Sequence, residues 1–393
     1  MFSKRFNYNT EENKLSALLK DKKSAGISVL DLMESNPTNA GFDFDEAGIL
    51  NAVSKSESLK YLPHPKGLKT ARKAVAQYYK EKNIEINIDN IFLTSGTSEA
   101  YSFIFKLLTD PGDEILIPNP GYPLFSFIAE MESVNIKNYK LKYSDGNFWS
   151  IDFESLKSGI ADKTKAVIIV NPNNPAGNYI KAKEINELLR ICREHKIAVI
   201  CDEVFLDYPV ESDRKNIFSV AGINYVLTFT LSGLSKICGL PQMKLSWIIV
   251  GGPKKECNEA KEKLEIITDT YLSVGAPVQL AVGSLLVNRD FIQAQIKDRI
   301  LRNYEFLKSE LIANEFADLM KTDGGWYAVL KIKIKISEEN MAFEMLEKKD
   351  VYIHPGFFFD FKDEGYIVVS LLTPAENFNT GIKRILEYLN NFK

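Results

Sequence analysis

The chain has 393 residues, of which 45% are hydrophobic, so it can bury a large core, and we expect two domains. Acidic and basic residues are interspersed and leave a formal net charge of −3, which indicates no nucleic-acid partner. The N-terminus is polar and no apolar run reaches membrane-spanning length, which predicts a soluble, cytoplasmic protein. The four cysteines show no CxxC spacing and the three histidines are scattered, so we expect reduced thiols and no metal site.

The first 90 residues mix helical and irregular segments. We predict a short helix and then an irregular arm over residues 1–45. The stretch Tyr61-Leu-Pro-His-Pro-Lys-Gly67 contains too much Pro and Gly for regular structure. Apolar residues at helical spacing then predict a helix over residues 68–81.

Strands and helices alternate from about residue 90. Apolar runs predict strands at 91–94, 114–118, 166–170, 198–201, 225–231 and 245–250, with helices at 99–108, 124–131 and 183–195. This alternation indicates a parallel or mixed sheet with helices on both faces and an active site at the carboxyl ends of the strands. After about residue 280, helices at 291–314 and 338–348 alternate with strands at 326–333 and 365–371, which indicates a smaller α+β domain.

A lysine follows one of these buried strands. In Ser232-Gly-Leu-Ser-Lys236 the Gly and Ser residues break the apolar run, which predicts Lys236 at the tip of a tight turn beside the sheet. A desolvated lysine has a lowered pKa, and its neutral amine can attack a carbonyl group to form a Schiff base. Taken alone, the pentapeptide favours a solvated loop lysine.

Two other strand ends carry polar groups. Ser95-Gly-Thr-Ser98 opens a helix, where Gly allows close approach and free N–H groups can bind a phosphate, although an ordinary helix cap has the same sequence. Asp202 directly follows the strand at 198–201. A carboxylate there can hold a pyridine nitrogen protonated, or it can serve as a helix cap or a loop salt bridge.

Two turns after strands offer further ligand contacts. Asn174 lies in the rigid turn Asn171-Pro-Asn-Asn-Pro-Ala-Gly177 and can donate a hydrogen bond to a ring oxygen. Tyr122 in Asn119-Pro-Gly-Tyr122 can lie flat on an aromatic ligand. An ordinary turn and a rim or core tyrosine are the alternatives.

Read in order, these motifs resemble the pyridoxal-phosphate-dependent class I/II aminotransferases over nearly the whole chain. The matching stretches are Tyr61…Gly67, Ser95-Gly-Thr, Pro120-Gly-Tyr, Asn174-Pro-Ala-Gly, Asp202-Glu, Ser235-Lys236, Gly324-Gly-Trp-Tyr327 and His354-Pro-Gly356. The resemblance implies the fold-type-I architecture of this α/β family, with a mostly parallel seven-stranded sheet flanked by helices and a smaller α+β domain. We expect an N-terminal arm at 1–45 that joins the small domain, a large cofactor-binding domain at 46–280 and a small domain at 281–393.

The resemblance also implies roles for single residues. Lys236 resembles the lysine that forms the Schiff base with pyridoxal 5′-phosphate and then shuttles the substrate proton. Asp202 resembles the partner of the pyridinium nitrogen, Asn174 the donor to the phenolic oxygen, and Tyr122 the stacking ring.

The remaining roles concern the phosphate. Gly96, Thr97 and Ser98 resemble the residues that cradle it. Tyr61 resembles a tyrosine that reaches the phosphate of the neighbouring subunit, which implies a homodimer with shared active sites.

Three positions depart from the family pattern around the cofactor. Lys244 stands where the family usually has a phosphate-binding arginine, so it retains the charge without the forked geometry. Gly233 lacks the hydroxyl that is common three residues before the lysine. Phe205 replaces the usual tyrosine donor to the phenolic oxygen, which implies a raised Schiff-base pKa.

A fourth departure concerns the substrate. The family carries an arginine that binds the substrate α-carboxylate, and in Gly365-Tyr-Ile-Val-Val-Ser370 that position is Val368. Either another cation replaces the arginine, or the amino donor is not an ordinary α-amino acid. The aromatic run at 357–361 is either the wall of an apolar pocket or a plain core segment.

We therefore expect an aminotransferase that moves an amino group between an amino donor and a 2-oxo acid by a ping-pong mechanism, with an atypical carboxylate site. A pyridoxal-phosphate-dependent lyase, decarboxylase or racemase is one alternative. A cofactor-binding protein with little turnover is another.

Overall fold

The computed structural model describes residues 2–3, 5, 12–144, 148–211, 217–312 and 314–392. Its helices are α1 (Lys14–Ser24), α2 (Glu46–Val53), α3 (Lys69–Lys80), α4 (Thr97–Leu108), α5 (Leu124–Met131), α6 (Phe153–Gly159), α7 (Ala182–His195), α8 (Leu234–Ile237), α9 (Lys254–Tyr271), α10 (Ala276–Val287), α11 (Arg289–Leu311), α12 (Glu338–Lys349) and α13 (Ala375–Asn390). Within the described ranges, none of these helices is both long and apolar enough to cross a bilayer.

The strands form a large and a small sheet and one short pair. In chain order they are β1 (Leu30–Asp31), β2 (Ile91–Thr94), β3 (Glu114–Asn119), β4 (Asn135–Ser144), β5 (Phe148–Ile151), β6 (Thr164–Val170), β7 (Ala198–Asp202), β8 (Thr228–Gly233), β9 (Ser246–Gly251), β10 (Ala317–Met320), β11 (Tyr327–Ile332), β12 (Val351–Tyr352), β13 (His354–Pro355) and β14 (Tyr366–Ser370).

The large sheet has the order β2-β9-β8-β7-β6-β3-β4-β5. Neighbours from β8 to β4 pair in parallel, β9 is antiparallel to both of its neighbours, and β5 pairs antiparallel with β4 at the edge. The mostly parallel seven-stranded sheet is thus confirmed, and β5 adds an eighth strand. The β4–β5 hairpin was not predicted because β4 alternates charged and apolar residues instead of forming an apolar run.

Helices cover both faces of the large sheet, so its central strands are buried on both sides. In β7, Ala198 and Ile200 belong to the apolar cluster that includes α4, α5 and α9, whereas Val199 and Cys201 belong to the cluster that includes α6 and α7. Such two-sided burial is typical of parallel sheets and explains the continuous apolar runs in the sequence.

The C-terminal part contains an antiparallel sheet of order β10-β11-β14-β13. Residues of α11, α12 and α13 pack with this sheet in one apolar cluster. The N-terminal strand β1 pairs in parallel with β12, which connects the first part of the chain to the last. The domain bounds stay a prediction, and the predicted boundary after residue 280 falls inside α10.

The predicted turn at Lys236 is wrong in its detail. Strand β8 continues through Ser232 and Gly233, because both residues pair with β9. The chain then forms the one-turn helix α8, and Lys236 lies within that helix. The ladder with β9 outweighs the local preference of Gly and Ser for turns.

Candidate active site

A cavity of about 310 Å³ lies where the carboxyl ends of β6, β7 and β8 face the small sheet. It is lined by Ser35, Thr97, Tyr122, Phe125, Val170, Asn174, Asp202, Val204, Phe205, Gly233, Ser235, Lys236, Pro241, Ser246 and Tyr327. The parallel strands position the site because their carboxyl ends meet at one edge of the sheet. Five of the nine predicted site residues are brought together here: Thr97, Tyr122, Asn174, Asp202 and Lys236.

The Lys236 amine lies beside two aromatic rings that contact each other. Its Nζ is 4.8 Å from the centroid of the Trp326 ring and 5.5 Å from that of Phe205. Burial lowers the pKa of Lys236 to about 8, although the negative charge of Asp202 acts in the opposite direction and raises that pKa. A lysine with this pKa is partly neutral near neutral pH and can act as a nucleophile or a base.

Asp202 ends β7 and is held by two hydrogen bonds. The Tyr101 hydroxyl donates to Oδ2 at 3.1 Å, and the Val204 amide donates to Oδ1 at 3.1 Å. Burial raises the pKa of Asp202 to about 6, although both hydrogen bonds and the Lys236 charge lower it. A carboxylate in this setting gains from any further positive charge that enters the cavity.

The start of α4 presents backbone N–H groups beside the cavity. Gly96 is the N-cap residue, no side chain caps the helix, and a Cβ added at Gly96 would meet nothing within 4 Å. Thr97 lines the cavity, whereas Ser98 is exposed to solvent next to it. An uncapped helix N-terminus with open space in front of it suits an anion.

Two further lining residues come from the predicted turns. The Oδ1 atom of Asn174 is buried without a hydrogen-bond partner. Tyr122 is 41% exposed, and its ring meets Phe125 edge-on. A buried, unpaired amide oxygen is rare in a folded protein and indicates a place where a ligand binds.

Two predicted residues lie elsewhere in this chain. Lys244 is exposed and adopts a left-handed backbone conformation before β9. Tyr61 is 80% exposed and lines a different cavity, together with Pro65 and Gln279.

The structure explains how the chain accommodates the departures near the cofactor site. Phe205 lines the cavity beside Lys236. Gly233 does so too, and a Cβ at Gly233 would lie 2.2 Å from the Ser246 hydroxyl. Ser246 therefore supplies a hydroxyl group in the space that a side chain at residue 233 would need.

Val368 lies fully buried in β14. Its register partner is Val329, and the partner of Ser370 is Tyr327. Because side chains alternate along a strand, Val368 and Tyr327 are on the same face of the small sheet, and Tyr327 lines the cavity. The aromatic run at 357–361 contributes Phe359 and Phe361 to the apolar core between the two sheets.

Sequence reasoning missed several residues of this site. Tyr101 lies on the buried face of α4, and its bond to Asp202 joins residues 101 positions apart. Ser35 comes from the N-terminal arm, and Ser246 comes from the start of β9. Trp326 and Tyr327 were noted only as part of the family resemblance. No local pattern indicates that Trp326 lies beside Lys236 or that Tyr327 lines the cavity.

The polar groups that line or adjoin the cavity fit pyridoxal phosphate. The uncapped start of α4 suits a phosphate, and Asp202 suits a protonated ring nitrogen. The Asn174 side chain lines the same cavity, where its Nδ2 group can donate to a ring oxygen and its unpaired Oδ1 atom can accept from a ligand. Lys236 provides a buried amine in the same cavity.

Comparison with known proteins finds aminotransferases that are similar over nearly the whole chain. Glutamate-pyruvate aminotransferase AlaA of Haemophilus influenzae is 26% identical over 375 residues, which cover 94% of this chain and 92% of that protein. Alanine aminotransferase of Mycobacterium tuberculosis is 23% identical over 376 residues, covering 94% and 87%. The solved structure of alanine aminotransferase from Pyrococcus furiosus shares the fold, with a TM-score of 0.89 and 24% identity over the full length of both chains.

The family model for aminotransferase class I and II matches residues 28–385, and that range contains the whole cavity. The chain therefore belongs to the class I and II aminotransferases, a family of pyridoxal-phosphate-dependent enzymes.

Proposed function

We propose that Lys236 is the residue that joins pyridoxal phosphate covalently and that the enzyme transfers amino groups to a 2-oxo acid in two half-reactions. The observation that carries this assignment is the shared cavity of Lys236 and Asp202, whose charges act on each other in a buried setting. The buried Oδ1 atom of Asn174, which has no hydrogen-bond partner and lies in the same cavity, supports it. Cytoplasmic location stays a prediction from the sequence.

The two charged residues of the cavity, Lys236 and Asp202, have separate tasks in this proposal. The Lys236 amine would take a proton from the substrate carbon and deliver it to the carbonyl carbon of the cofactor, because its lowered pKa allows both forms of the amine near neutral pH. Asp202 holds a ring nitrogen protonated, and Tyr101 keeps that carboxylate in place. When bound, the cofactor supplies an electron-accepting ring that stabilises negative charge at that carbon.

The phosphate contacts extend beyond one chain in this proposal. The N–H groups at Gly96, Thr97 and Ser98 would hold the phosphate. Lys244 does not line the cavity, but it precedes the lining residue Ser246 by two positions and would add positive charge. Tyr61 is too exposed to serve as a core residue and suits contact with a second copy of the chain. We therefore propose a homodimer in which Tyr61 reaches the partner's site.

Lys236→Ala tests the assignment of the anchoring lysine. The purified protein should show the visible absorbance of covalently held cofactor, and borohydride should fix the cofactor to the peptide that contains Lys236. Lys236→Ala should lose both signals. Lys255→Ala is the matched control, since it removes an exposed lysine to which no role in the site is given and should keep the label at Lys236. A label on another lysine would disprove the assignment.

We also propose that the cavity binds a carboxylate beside the reacting carbon weakly, in the 2-oxo acid as in an amino donor, so that amines without such a carboxylate are the better donors. Within the described chain, Lys236 is the single cationic side chain that lines the cavity. His354, the register partner of Val368, is neutral because burial lowers its pKa to about 4. A carboxylate desolvated in this cavity without a cation would cost several kcal/mol.

A half-reaction screen tests the donor class. Primary amines without a carboxylate should convert the cofactor spectrum faster than ordinary α-amino acids of similar size. Val368→Arg should reverse that order by adding a cation on the cavity side of the small sheet, with Val368→Leu as the uncharged control. Fast conversion of the cofactor spectrum by α-amino acids such as alanine or glutamate in the unmodified enzyme would refute the proposed donor class. It would not affect the separate proposal that Lys236 anchors the cofactor. Release of a keto product without any acceptor would favour a lyase.

A further inference from the structure

Behind the cavity, buried polar side chains connect α11 to the helix that carries Lys236. Helix α8 has only four residues, Leu234–Ile237. A single turn of helix is marginally stable in isolation, because nucleation fixes several residues for one hydrogen bond. The position of the Lys236 amine therefore depends on what holds this turn from outside.

Two side chains from other parts of the chain bind the carbonyl groups of this turn. The Tyr208 hydroxyl donates to the Lys236 carbonyl. The Gln293 Nε2 atom, from α11, donates to the Ile237 carbonyl at 2.9 Å. Both residues are buried, with Gln293 3% exposed.

Gln293 is itself fixed on its other side. Its Nε2 also donates to Asp207 Oδ2 at 3.0 Å, so both amide hydrogens are used, and its Oε1 accepts from Lys297 Nζ at 2.9 Å. Asp207 in turn accepts from the Tyr78 hydroxyl at 2.9 Å and pairs with Lys82. The amide therefore cannot rotate without losing buried hydrogen bonds.

We propose that Gln293 is a positioning residue for Lys236: Asp207 fixes its amide, and the amide fixes the one-turn helix that presents the lysine to the cavity. The inference rests on the proposed role of Lys236. Gln293 touches neither the cavity nor the Lys236 amine, so it acts through the backbone of α8.

The charges around this network favour an ionised Asp207. Burial raises the pKa of Asp207, but the charge of Lys82 and hydrogen bonds from Lys82, Gln293 and Tyr78 outweigh burial and hold the pKa below its ordinary value. Arg289, one turn before Gln293 on α11, adds positive charge on the same side and is paired with Glu81. The carboxylate thus stays an acceptor for the amide at working pH.

Gln293→Met tests the proposal, because it keeps the length of the side chain and removes both donations. The readout is the pH dependence with which an amine-acylating reagent labels Lys236 in the full-length, cofactor-free protein, followed by mass spectrometry. Loosening of α8 should let water reach the amine, so the Lys236 pKa should rise by about one unit from its value near 8. In the loaded enzyme, kcat should fall about tenfold with little change in KM.

Asn303→Leu is the matched control. Asn303 is also a buried amide on α11, 1% exposed, and its Nδ2 donates to two carbonyls, those of Leu371 and Thr373. Its loss should destabilise the fold to a similar degree without changing the Lys236 titration. A shift in Gln293→Met no larger than the shift in Asn303→Leu would overturn the proposal.

Asp207→Asn is a second test that keeps the shape of the network. It should shift the Lys236 titration in the same direction as Gln293→Met, by a smaller amount, because the amide still has an acceptor oxygen. If Asp207→Asn leaves the titration at the wild-type value, the role of Asp207 as the anchor is wrong. Because the titration is read without cofactor, it is independent of the borohydride test of cofactor attachment.

Discussion

At the scale of single residues, Glu203 is a buried acid that points to Ser219 and Val220 instead of the cavity. Its Oε2 accepts from the Ser219 hydroxyl at 2.7 Å, and its Oε1 accepts from the Val220 amide at 2.7 Å. Burial raises the pKa of Glu203 to about 7, although these hydrogen bonds lower it. Burial also raises the pKa of the neighbouring Asp202. The two adjacent acids therefore have raised pKa values for the same reason, although only Asp202 lines the cavity.

This shift predicts a pH-dependent stability. Between pH 4.5 and 7 the folded protein retains a proton on Glu203 that the unfolded chain releases, so the free energy of unfolding falls as the pH rises. The Glu203→Gln side chain cannot titrate, so the free energy of unfolding of this variant should fall by up to about 3 kcal/mol less over the same pH range. Calorimetry of both proteins at pH 5 and pH 7.5 measures the difference. Equal losses of stability with pH would mean that Glu203 is already ionised in the fold at pH 5.

At the scale of elements, the pairing of β8 with β9 brings Gly233 and Ser246 face to face. Gly233 has an extended backbone with φ 179°, which any residue can adopt, so its constraint is steric. A Cβ there would lie 2.9 Å from Ser246 Cβ as well as close to its hydroxyl, and 3.0 Å from the Leu245 carbonyl oxygen. Gly233→Ala should cost about 1–3 kcal/mol of stability.

A double-mutant cycle separates this clash from other effects. Ser246→Gly removes two of the three close atoms, so Gly233→Ala should cost clearly less in that background than in the wild type. Urea denaturation of the four proteins measures the coupling. Additive costs would show that the Leu245 carbonyl, and not Ser246, limits the space.

The same elements show what the sequence could predict. Strands β2, β6, β7 and β9 were predicted within two residues, because burial on both faces produces continuous apolar runs. The end of β8 was placed too early, since pairing with β9 overrides the turn preference of Gly and Ser. The bond from Tyr101 to Asp202 depends on how α4 packs on β7, and no local pattern encodes that contact.

At the scale of the whole molecule, the proposed role of Tyr61 in the partner's site predicts that one active site needs two chains. Consider a hybrid dimer of one Lys236→Ala chain and one Tyr61→Ala chain. If Tyr61 serves the partner's site, this hybrid contains one site with both native residues, because the first chain supplies Tyr61 and the second supplies Lys236. Each variant alone has two defective sites. The exposure of Tyr61 in the single chain is what this arrangement requires.

Mixing the two inactive variants after dissociation should therefore restore activity. Random pairing makes about half of the dimers hybrids with one native site each, so the mixture should reach about a quarter of wild-type activity. If Tyr61 instead served its own chain, every site in the hybrid would carry one substitution, and mixing would restore nothing. Size-exclusion chromatography of differently tagged chains confirms that hybrids formed, so a lack of recovered activity would count against a shared site and not against mixing.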